Sequence, residues 1–205
     1  MSGRGRLVTF EGGEGSGKST QAAALAARLE AAARPAVRLR EPGGTPLGEA
    51  LRDLLLHGGP EITPEAELLL FLAARAELVR LQVRPALDAG QVVICDRFSD
   101  STLAYQGYGR GLDLAAIRPL DAFATGGLVP DLTLLLNLPL EAGPARRTGA
   151  ADAIERQEAA FHERVRQGYL ALAAAAPERW LVLDGRDTIE AIEARVWARV
   201  EALLS

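Results

Sequence analysis

The chain has 205 residues, of which 48% are hydrophobic and 24% charged, a composition typical of a water-soluble globular protein with a sizeable core. Its formal net charge of −4 argues against nucleic acid as a partner, because proteins that bind nucleic acid need a basic surface. Cys95 is the only cysteine, which excludes an intrachain disulfide, and we expect neither an export signal nor a membrane span, and hence a cytoplasmic location.

The first predicted strand, at residues 7–10, leads into a glycine-rich loop and then into an alanine-rich helix. The loop fits the pattern G-x-x-x-x-G-K-[ST] of a phosphate-binding loop in the strand–loop–helix context that this pattern requires. Its glycines let several backbone N–H groups point into one concavity, and the N-terminal end of the helix adds partial positive charge. The residues predicted to bind the phosphates of a nucleotide are Gly12, Gly13, Glu14, Gly15, Ser16, Gly17, Lys18, Ser19 and Thr20.

Lys18 is the only lysine in the chain, and the other side chains in the Lys+Arg total of 23 are all arginine. A compact ammonium group fits beneath a phosphate where a forked guanidinium does not. We therefore expect Lys18 to contact the β- and γ-phosphates and to act in catalysis. The hydroxyl of Ser19 is expected to hold Mg²⁺.

A helix at 20–34 and a strand at 37–40 follow, and the strand leads into the sequence REPGGT. Its proline and two glycines predict a turn at the carboxyl end of the strand, where α/β sheets bind ligands. Arg40 and Glu41 either face a ligand or belong to a solvated charged turn, and the residue types alone leave both alternatives open.

A helix at 65–81 begins after Thr63 and Pro64 and is apolar on most of its sides, which is typical of a central helix or of a subunit interface. Phe71 and Arg75 are four residues apart and share one face of this helix. They either grip a flat heterocycle or are a core phenylalanine and a surface arginine.

An apolar strand at 91–95 ends in Asp96 and Arg97. A buried strand that ends in aspartate beside a phosphate loop is the usual place of the acid that organises Mg²⁺, and Arg97 adds a bidentate donor for a phosphate. Three glycines within 107–111 are expected to break the segment that follows.

The rest of the chain continues the alternation, with strands at 132–138 and 180–183 and helices at 113–124, 153–176 and 188–204. Five buried strands alternating with helices predict an α/β protein with a doubly wound five-stranded parallel sheet, and we expect one domain over residues 1–205. Arginines and small residues at about 143–156 predict a mobile lid, with an ordinary exposed loop as the alternative.

Taken together, FEGGEGSGKST, REPGGT, the Phe71/Arg75 pair and DRFSDSTLAYQG resemble the thymidylate kinase family, which phosphorylates dTMP with ATP on a P-loop kinase fold. These motifs follow the order and spacing of the family from Phe10 to Gly111. REPGG together with DR-x-x-x-S-x-x-A-Y-Q is specific to this family, whereas the phosphate loop alone is not. The resemblance implies dTMP and ATP as substrates, Mg²⁺ as the metal, a homodimer, and no nucleic-acid or membrane partner.

The resemblance also implies roles for single residues. Arg40 and Arg97 fall on the arginines that hold the dTMP phosphate, and Phe71 falls on the residue that stacks on thymine. Arg75 falls on the donor to the exocyclic oxygen of thymine, and Tyr105 lies where a 2′-hydroxyl would clash. The implied substrate-binding residues are Arg40, Pro42, Phe71, Arg75, Arg97, Ser101, Tyr105 and Gln106. The implied metal site comprises Ser19, Asp96 and Glu14.

The predicted lid departs from the family pattern. With an acid at position 14 and no arginine in the phosphate loop, the chain resembles the bacterial subgroup whose catalytic arginine lies in the lid. That lid often carries D-R-[IL]-E, whereas residues 152–155 here are D-A-I-E. Arg146, Arg147 or Arg156 must then supply the charge. The candidate catalytic residues are Glu14, Lys18, Arg97, Arg147 and Arg156.

Two other classes of protein could use the same phosphate loop. One is a nucleotide-dependent switch, although a Ras-like GTPase recognises guanine with N-K-x-D, which a chain whose single lysine is Lys18 cannot contain. The other is a kinase for another nucleoside or nucleoside monophosphate. The pair Arg40 and Arg97 favours an acceptor that already carries a phosphate.

Overall fold

The computed structural model describes residues 4–57, 62–142, 152–154 and 156–205. The strands are β1 (Arg6–Glu11), β2 (Ala36–Arg40), β3 (Val92–Asp96), β4 (Leu132–Asn137) and β5 (Trp180–Asp184). The α-helices are α1 (Lys18–Ala31), α2 (Pro46–Leu56), α3 (Pro64–Leu78), α4 (Arg84–Asp88), α5 (Ser99–Thr102), α6 (Leu114–Thr125), α7 (Ala159–Ala175) and α8 (Ile189–Leu204). Two π-helical stretches, Val79–Val83 and Leu103–Gly109, continue α3 and α5, and a short 3₁₀ turn spans Leu140–Ala142.

All five strands pair in parallel in the order β2-β3-β1-β4-β5, which confirms the predicted doubly wound sheet. The pairing register places Arg40 and Phe10 level with Asp96, so that β1, β2 and β3 end side by side. The chain runs from β1 to the edge strand β2 and returns to β3, which lies between β2 and β1. It then crosses to β4 and β5 on the other side of β1. Ligands of such sheets bind outside the carboxyl ends of the strands, where the winding direction reverses.

The core lies on both faces of the sheet. On one face, β1 and β4 pack against α1 and α8 through a cluster that includes Phe10, Leu25 and Val196. On the other face, α3, α7 and the π-helical stretches pack through clusters that include Leu78 and Tyr169. Sheet faces covered by helices on both sides explain why these strands are continuous apolar runs.

Three predicted elements differ from the observed ones. The helix predicted at 65–81 continues without a break through the π-helical stretch Val79–Val83 and α4 to Asp88. The segment predicted to be broken by three glycines is helical from Ser99 to Gly109, and only Gly111, which has φ 81°, lies beyond its end. Gly107 and Gly109 lie within the helical stretch and permit close packing. A Cβ at Gly107 would come within 2.3 Å of the Leu114 side chain, and one at Gly109 within 2.7 Å of the Phe161 ring. The helix predicted to begin at 153 begins at Ala159, because Asp152 accepts a hydrogen bond from the Ile154 N–H and starts a turn.

In the described part of the chain, no helix is long and apolar enough to cross a membrane. Most of the predicted lid at 143–156 lies outside the described residues.

Candidate functional site

A cavity of about 480 Å³ opens at the carboxyl ends of β1, β2 and β3. Most of the sequence-predicted site residues line it, among them Lys18, Arg97 and Arg75. The complete set of predicted residues in its lining is Glu14, Gly15, Gly17, Lys18, Ser19, Thr20, Arg40, Pro42, Phe71, Arg75, Asp96, Arg97, Ser101, Tyr105 and Gln106. Gly12 and Gly13 line a smaller neighbouring cavity. The topology therefore collects residues from five separate segments into one cleft.

The phosphate loop has the backbone conformation that its glycines predict. Gly12 has φ 138° and Gly17 has φ 94°, a region that residues with a Cβ rarely adopt. A Cβ at Gly12 would also lie 2.5 Å from the carbonyl oxygen of Leu136, so that only glycine fits there. Gly17 precedes the first residue of α1 and makes no side-chain cap. The first three residues of α1, Lys18, Ser19 and Thr20, line the cavity, and a helix N-terminus at a cavity favours the binding of anions.

Lys18 is buried beneath the loop, and its Nζ donates a hydrogen bond to the carbonyl oxygen of Gly13 at 2.8 Å. Burial, and then the nearby charge of Arg97, lowers the pKa of Lys18. A buried ammonium group is stabilised by an anion placed opposite it, and this environment therefore favours the binding of a phosphate.

Ser19 and Asp96 are held together at the point where α1 begins and β3 ends. The Ser19 hydroxyl donates to the Asp96 carboxylate at 2.6 Å. A hydroxyl and a carboxylate are hard oxygen donors of the kind that Mg²⁺ prefers, so that this pair fits the metal. The described residues contain no group of three or more His, Cys, Asp and Glu side chains that could hold a metal.

Arg97 is the most highly connected side chain in the cleft. Its Nη2 pairs with Glu14 and donates to the Tyr105 hydroxyl, and its Nη1 donates to the Gly12 carbonyl at 3.1 Å. Its backbone has φ 72°, an uncommon conformation for a residue with a side chain, and its N–H donates to the Phe10 carbonyl. Strained backbone of this kind is found where the surrounding structure holds a residue for function.

Glu11, which sequence reasoning missed, lies behind Arg97. Its carboxylate accepts hydrogen bonds from the Phe98 N–H, the Ser101 hydroxyl and the Tyr169 hydroxyl, at 2.6 to 2.9 Å. The Ser101 and Tyr169 hydroxyls in turn accept from Arg97. Burial, and then the negative charge of Asp100, raises the pKa of Glu11 to about 7.

We expect Glu11 to make stability depend on pH. The pKa of Glu11 is about 7 in the folded protein and 4.5 in the unfolded chain. The contribution of Glu11 to the unfolding free energy is therefore fully present below about pH 4.5 and is lost as the pH rises through 7. The difference in unfolding free energy between wild type and Glu11→Gln should therefore fall by about 2 kcal/mol between pH 5 and pH 8. Urea denaturation at a series of pH values measures it, and a constant difference would contradict the assignment.

Arg75 lies fully inside the protein, with 1% of its surface exposed, and the alternative of a surface arginine is therefore wrong. Its Nε donates to Glu41, its Nη1 to Thr102 and Asp121, and its Nη2 to the carbonyl oxygen of Phe98. These contacts occupy four of the five guanidinium N–H groups, and the described residues offer no acceptor to the fifth, on Nη2. Arg75 also lines the cavity, which makes this N–H the candidate donor to a ligand.

Gln106 lies beside Arg75 in the lining and is also buried, with 2% of its surface exposed. Its Nε2 donates to Glu67 at 2.8 Å. No donor among the described residues reaches its Oε1. The cavity wall therefore presents an N–H donor from Arg75 next to a carbonyl acceptor from Gln106. Phe71, which is half-buried, adds an aromatic side chain to the same wall.

Arg40 and Arg52 place two more guanidinium groups at the cavity. Arg40 is exposed and pairs with Glu49 at 2.8 Å, whereas Arg52 donates to the Pro42 carbonyl at 2.9 Å. Burial, and then the charge of Arg40, lowers the pKa of Arg52, which indicates a positively charged region. Sequence reasoning missed Arg52, although its position on α2 directly after the REPGGT turn was a usable signal.

The lid candidates are only partly described. Arg146 and Arg147 lie outside the described residues. Arg156 is exposed and does not belong to the cavity lining, and its N–H donates to the Asp152 carbonyl. Asp152 and Ile154, by contrast, line the cavity. Catalysis by Arg147 or Arg156 stays a prediction.

Comparison with known proteins gives a consistent result. The family model described as thymidylate kinase matches residues 10–196. The thymidylate kinase of Synechococcus sp. (strain JA-3-3Ab) is 56% identical over 198 residues, which cover 97% of this chain and 96% of the relative. That of Deinococcus radiodurans is 51% identical over 199 residues, 96% of this chain and 97% of the relative. A crystal structure of thymidylate kinase from Ehrlichia chaffeensis superposes with a TM-score of 0.81 at 32% identity, covering 96% of this chain and 99% of that one.

Proposed function

This chain belongs to the thymidylate kinase family, and we propose that it transfers the γ-phosphoryl group of ATP to dTMP, forming ADP and dTDP. One observation carries the proposal. A single cavity joins the phosphate loop at Lys18 to a wall where Arg75 offers an N–H donor and Gln106 a carbonyl acceptor.

The donor-and-acceptor pair matches thymine. Thymine has a carbonyl oxygen at O4 and an N–H at N3, so that Arg75 can donate to the first and Gln106 can accept from the second. Cytosine has an amino group at position 4 and an unprotonated nitrogen at N3. The amino group would face the Arg75 N–H, donor against donor, and N3 would face the Gln106 oxygen, acceptor against acceptor. A site whose buried polar groups are left unpaired by the wrong substrate discriminates strongly against it.

Phosphoryl transfer needs positioning and neutralisation of charge more than covalent help. The phosphate loop, Lys18 and the amino end of α1 would hold ATP, and Arg40 and Arg97 would hold the dTMP phosphate. A dTMP phosphate oxygen then attacks the γ-phosphorus, and the bond to the oxygen that bridges the β- and γ-phosphates breaks. Ser19 and Asp96 would hold Mg²⁺, which when bound neutralises charge on the phosphates.

The remaining predictions belong to the same proposal. We propose one domain, a lid at about 143–156 that excludes water, and a homodimer. The homodimer is supported by an apolar surface on α3 and α6, where Leu69 is 55% and Phe123 90% exposed. A surface of this kind is typical of a protein–protein interface.

The proposed reaction is tested by following ADP release with Mg·ATP and a panel of acceptors. We expect fast turnover with dTMP, slower turnover with dUMP, and little with dCMP or with the ribose form of TMP, because Tyr105 is expected to exclude a 2′-hydroxyl. ADP release that is the same without any acceptor would instead indicate an ATPase or a nucleotide-dependent switch. In that case the thymine-binding roles would be withdrawn.

Phe71→Ala separates stacking on a base from simple core packing. Loss of the stacking aromatic ring weakens binding by about 1 to 3 kcal/mol per stacked base, so that the KM for dTMP should rise about 10-fold or more. The KM for ATP should stay within about twofold, because Phe71 lines the base end of the cleft. Steady-state kinetics with each substrate varied in turn measures both constants. Equal increases in the two would show that Phe71 only packs in the core.

A further inference from the structure

Glu67 lies behind the base pocket, outside the cavity lining, and belongs to α3. Its side chain is 7% exposed, and its Oε1 accepts the hydrogen bond that Gln106 Nε2 donates at 2.8 Å. Sequence reasoning assigned no role to it. A buried carboxylate needs a partner that compensates for the loss of its hydration.

Arg110 supplies the compensation and holds the carboxylate at both oxygens. Its Nη2 donates to Oε2 of Glu67 at 2.8 Å, and its Nε donates to Oε1 at 3.2 Å. Arg110 is fixed in turn by Gln157, which accepts from its Nη1 at 2.9 Å, and by the ring of Phe161, 4.9 Å from its guanidinium carbon. An arginine that contacts both oxygens of a carboxylate and is also held by two other side chains leaves that carboxylate little freedom to rotate.

The clamp decides which end of the Gln106 amide faces the cavity. An amide carries a donor end and an acceptor end of nearly the same size, and it can turn over wherever its surroundings accept both. The Glu67 carboxylate can only accept, so that the Nε2 end must turn toward it. The Oε1 end is left toward the cavity, which Gln106 lines.

We propose that Glu67, clamped by Arg110, is a specificity-determining positioning residue that locks the Gln106 amide with its oxygen toward the substrate. The inference rests on the proposed phosphorylation of dTMP and deepens it. The locked oxygen accepts from the N3–H of a 4-oxo pyrimidine and repels the unprotonated N3 of a 4-amino pyrimidine. Glu67 touches neither substrate and acts only through Gln106.

The test is Glu67→Gln, assayed with dTMP and with 5-methyl-dCMP, which differ only at ring positions 3 and 4. An amide at position 67 has one oxygen to offer, and it cannot satisfy Gln106 Nε2 and both Arg110 donors together. The Gln106 amide is then free to turn over. We expect the ratio of kcat/KM for dTMP to that for 5-methyl-dCMP to fall about 10-fold or more, with the KM for ATP unchanged.

Glu65→Gln is the matched control, because Glu65 is an exposed residue of the same helix and the substitution changes the charge by the same amount. We expect the substrate ratio of this variant to equal that of wild type. A ratio that falls equally in both variants, or that stays at the wild-type value in Glu67→Gln, would overturn the positioning role. Failure of the wild type to phosphorylate dTMP would instead overturn the proposed function, so that the two failures are distinguishable.

The double variant E67Q/Q106E keeps the inference testable if Glu67→Gln alone does not fold. The amide at position 67 can keep its oxygen on Arg110 and donate to the carboxylate at position 106. The second oxygen of that carboxylate then faces the cavity as an acceptor. We expect the substrate ratio to return to within about threefold of wild type. A folded double variant, checked by circular dichroism, whose ratio differs from wild type by 10-fold or more would overturn the proposal.

Discussion

Arg97→Ala is expected to lower kcat for dTDP formation about 10³-fold or more, while the Kd for ATP changes by less than about fivefold. Arg97 reaches from β3 to Glu14 and Gly12 of the phosphate loop and lines the cavity. From this position its guanidinium can contact the acceptor phosphate and the group in transfer. A fixed cation of this kind acts mainly where charge develops, and its loss therefore affects the chemical step more than the binding of ATP.

The measurement is single-turnover and steady-state formation of dTDP, with ATP binding followed by calorimetry. Arg6→Ala is the matched control, because Arg6 is a surface arginine at the opposite end of β1 and pairs with Asp131. We expect that variant to keep nearly full activity. An Arg97→Ala enzyme that retains more than a tenth of wild-type kcat would show that Arg97 does not contact the reacting phosphates.

Arg75→Met is expected to destabilise the protein by about 3 to 5 kcal/mol at pH 8, besides weakening dTMP binding. Arg75 pairs with Glu41 at 2.7 Å and with Asp121 at 2.8 Å, and the side chains of Arg75 and Glu41 are 2% and 4% exposed. Removal of the cation leaves two carboxylates without their partner in a region of low polarity. Burial already raises the pKa of Glu41 to about 7, and the positive charge of Arg75 opposes that rise.

Chemical denaturation measures the change, and two further variants interpret it. Arg195→Met removes an exposed arginine whose pairing with Asp187 spans 3.7 Å, and it should cost less than about 1 kcal/mol. Arg75→Met/Glu41→Gln removes one of the stranded charges and should recover about 1 kcal/mol or more of the loss. If it recovers none, the cost of Arg75→Met comes from lost packing instead of from the unpaired charges.

The parts of this protein whose conformation depends on consecutive residues were predictable from the amino-acid sequence. The phosphate loop needs positive φ at Gly12 and Gly17 and a strand and a helix on either side, and all of these requirements are written in consecutive residues. The five apolar runs likewise predicted a parallel sheet covered by helices on both faces. Because the carboxyl ends of parallel strands meet at one edge, the same pattern predicted ligand binding at that edge. The strand order that places β1 and β2 on either side of β3 was not predicted.

The glycines at 107 and 109 show where local reasoning failed. In sequence they are typical of a break, yet here they lie in a helical turn that α6 and α7 approach too closely for a Cβ. Glycine has the same local signature in both situations, and only the neighbouring helices distinguish them.

The burial of polar side chains, and the partners that stabilise them, depend on contacts that form only in the folded protein. Arg75 has the spacing of a surface residue, but Glu41 and Asp121, from a turn and a distant helix, make its burial possible. Glu11 and Tyr169 are 158 residues apart in sequence, and Glu67 meets Gln106 across 39 residues. Such contacts leave no periodic signal, because their free energy depends on partners that the folded sheet brings together and on the exclusion of water around them.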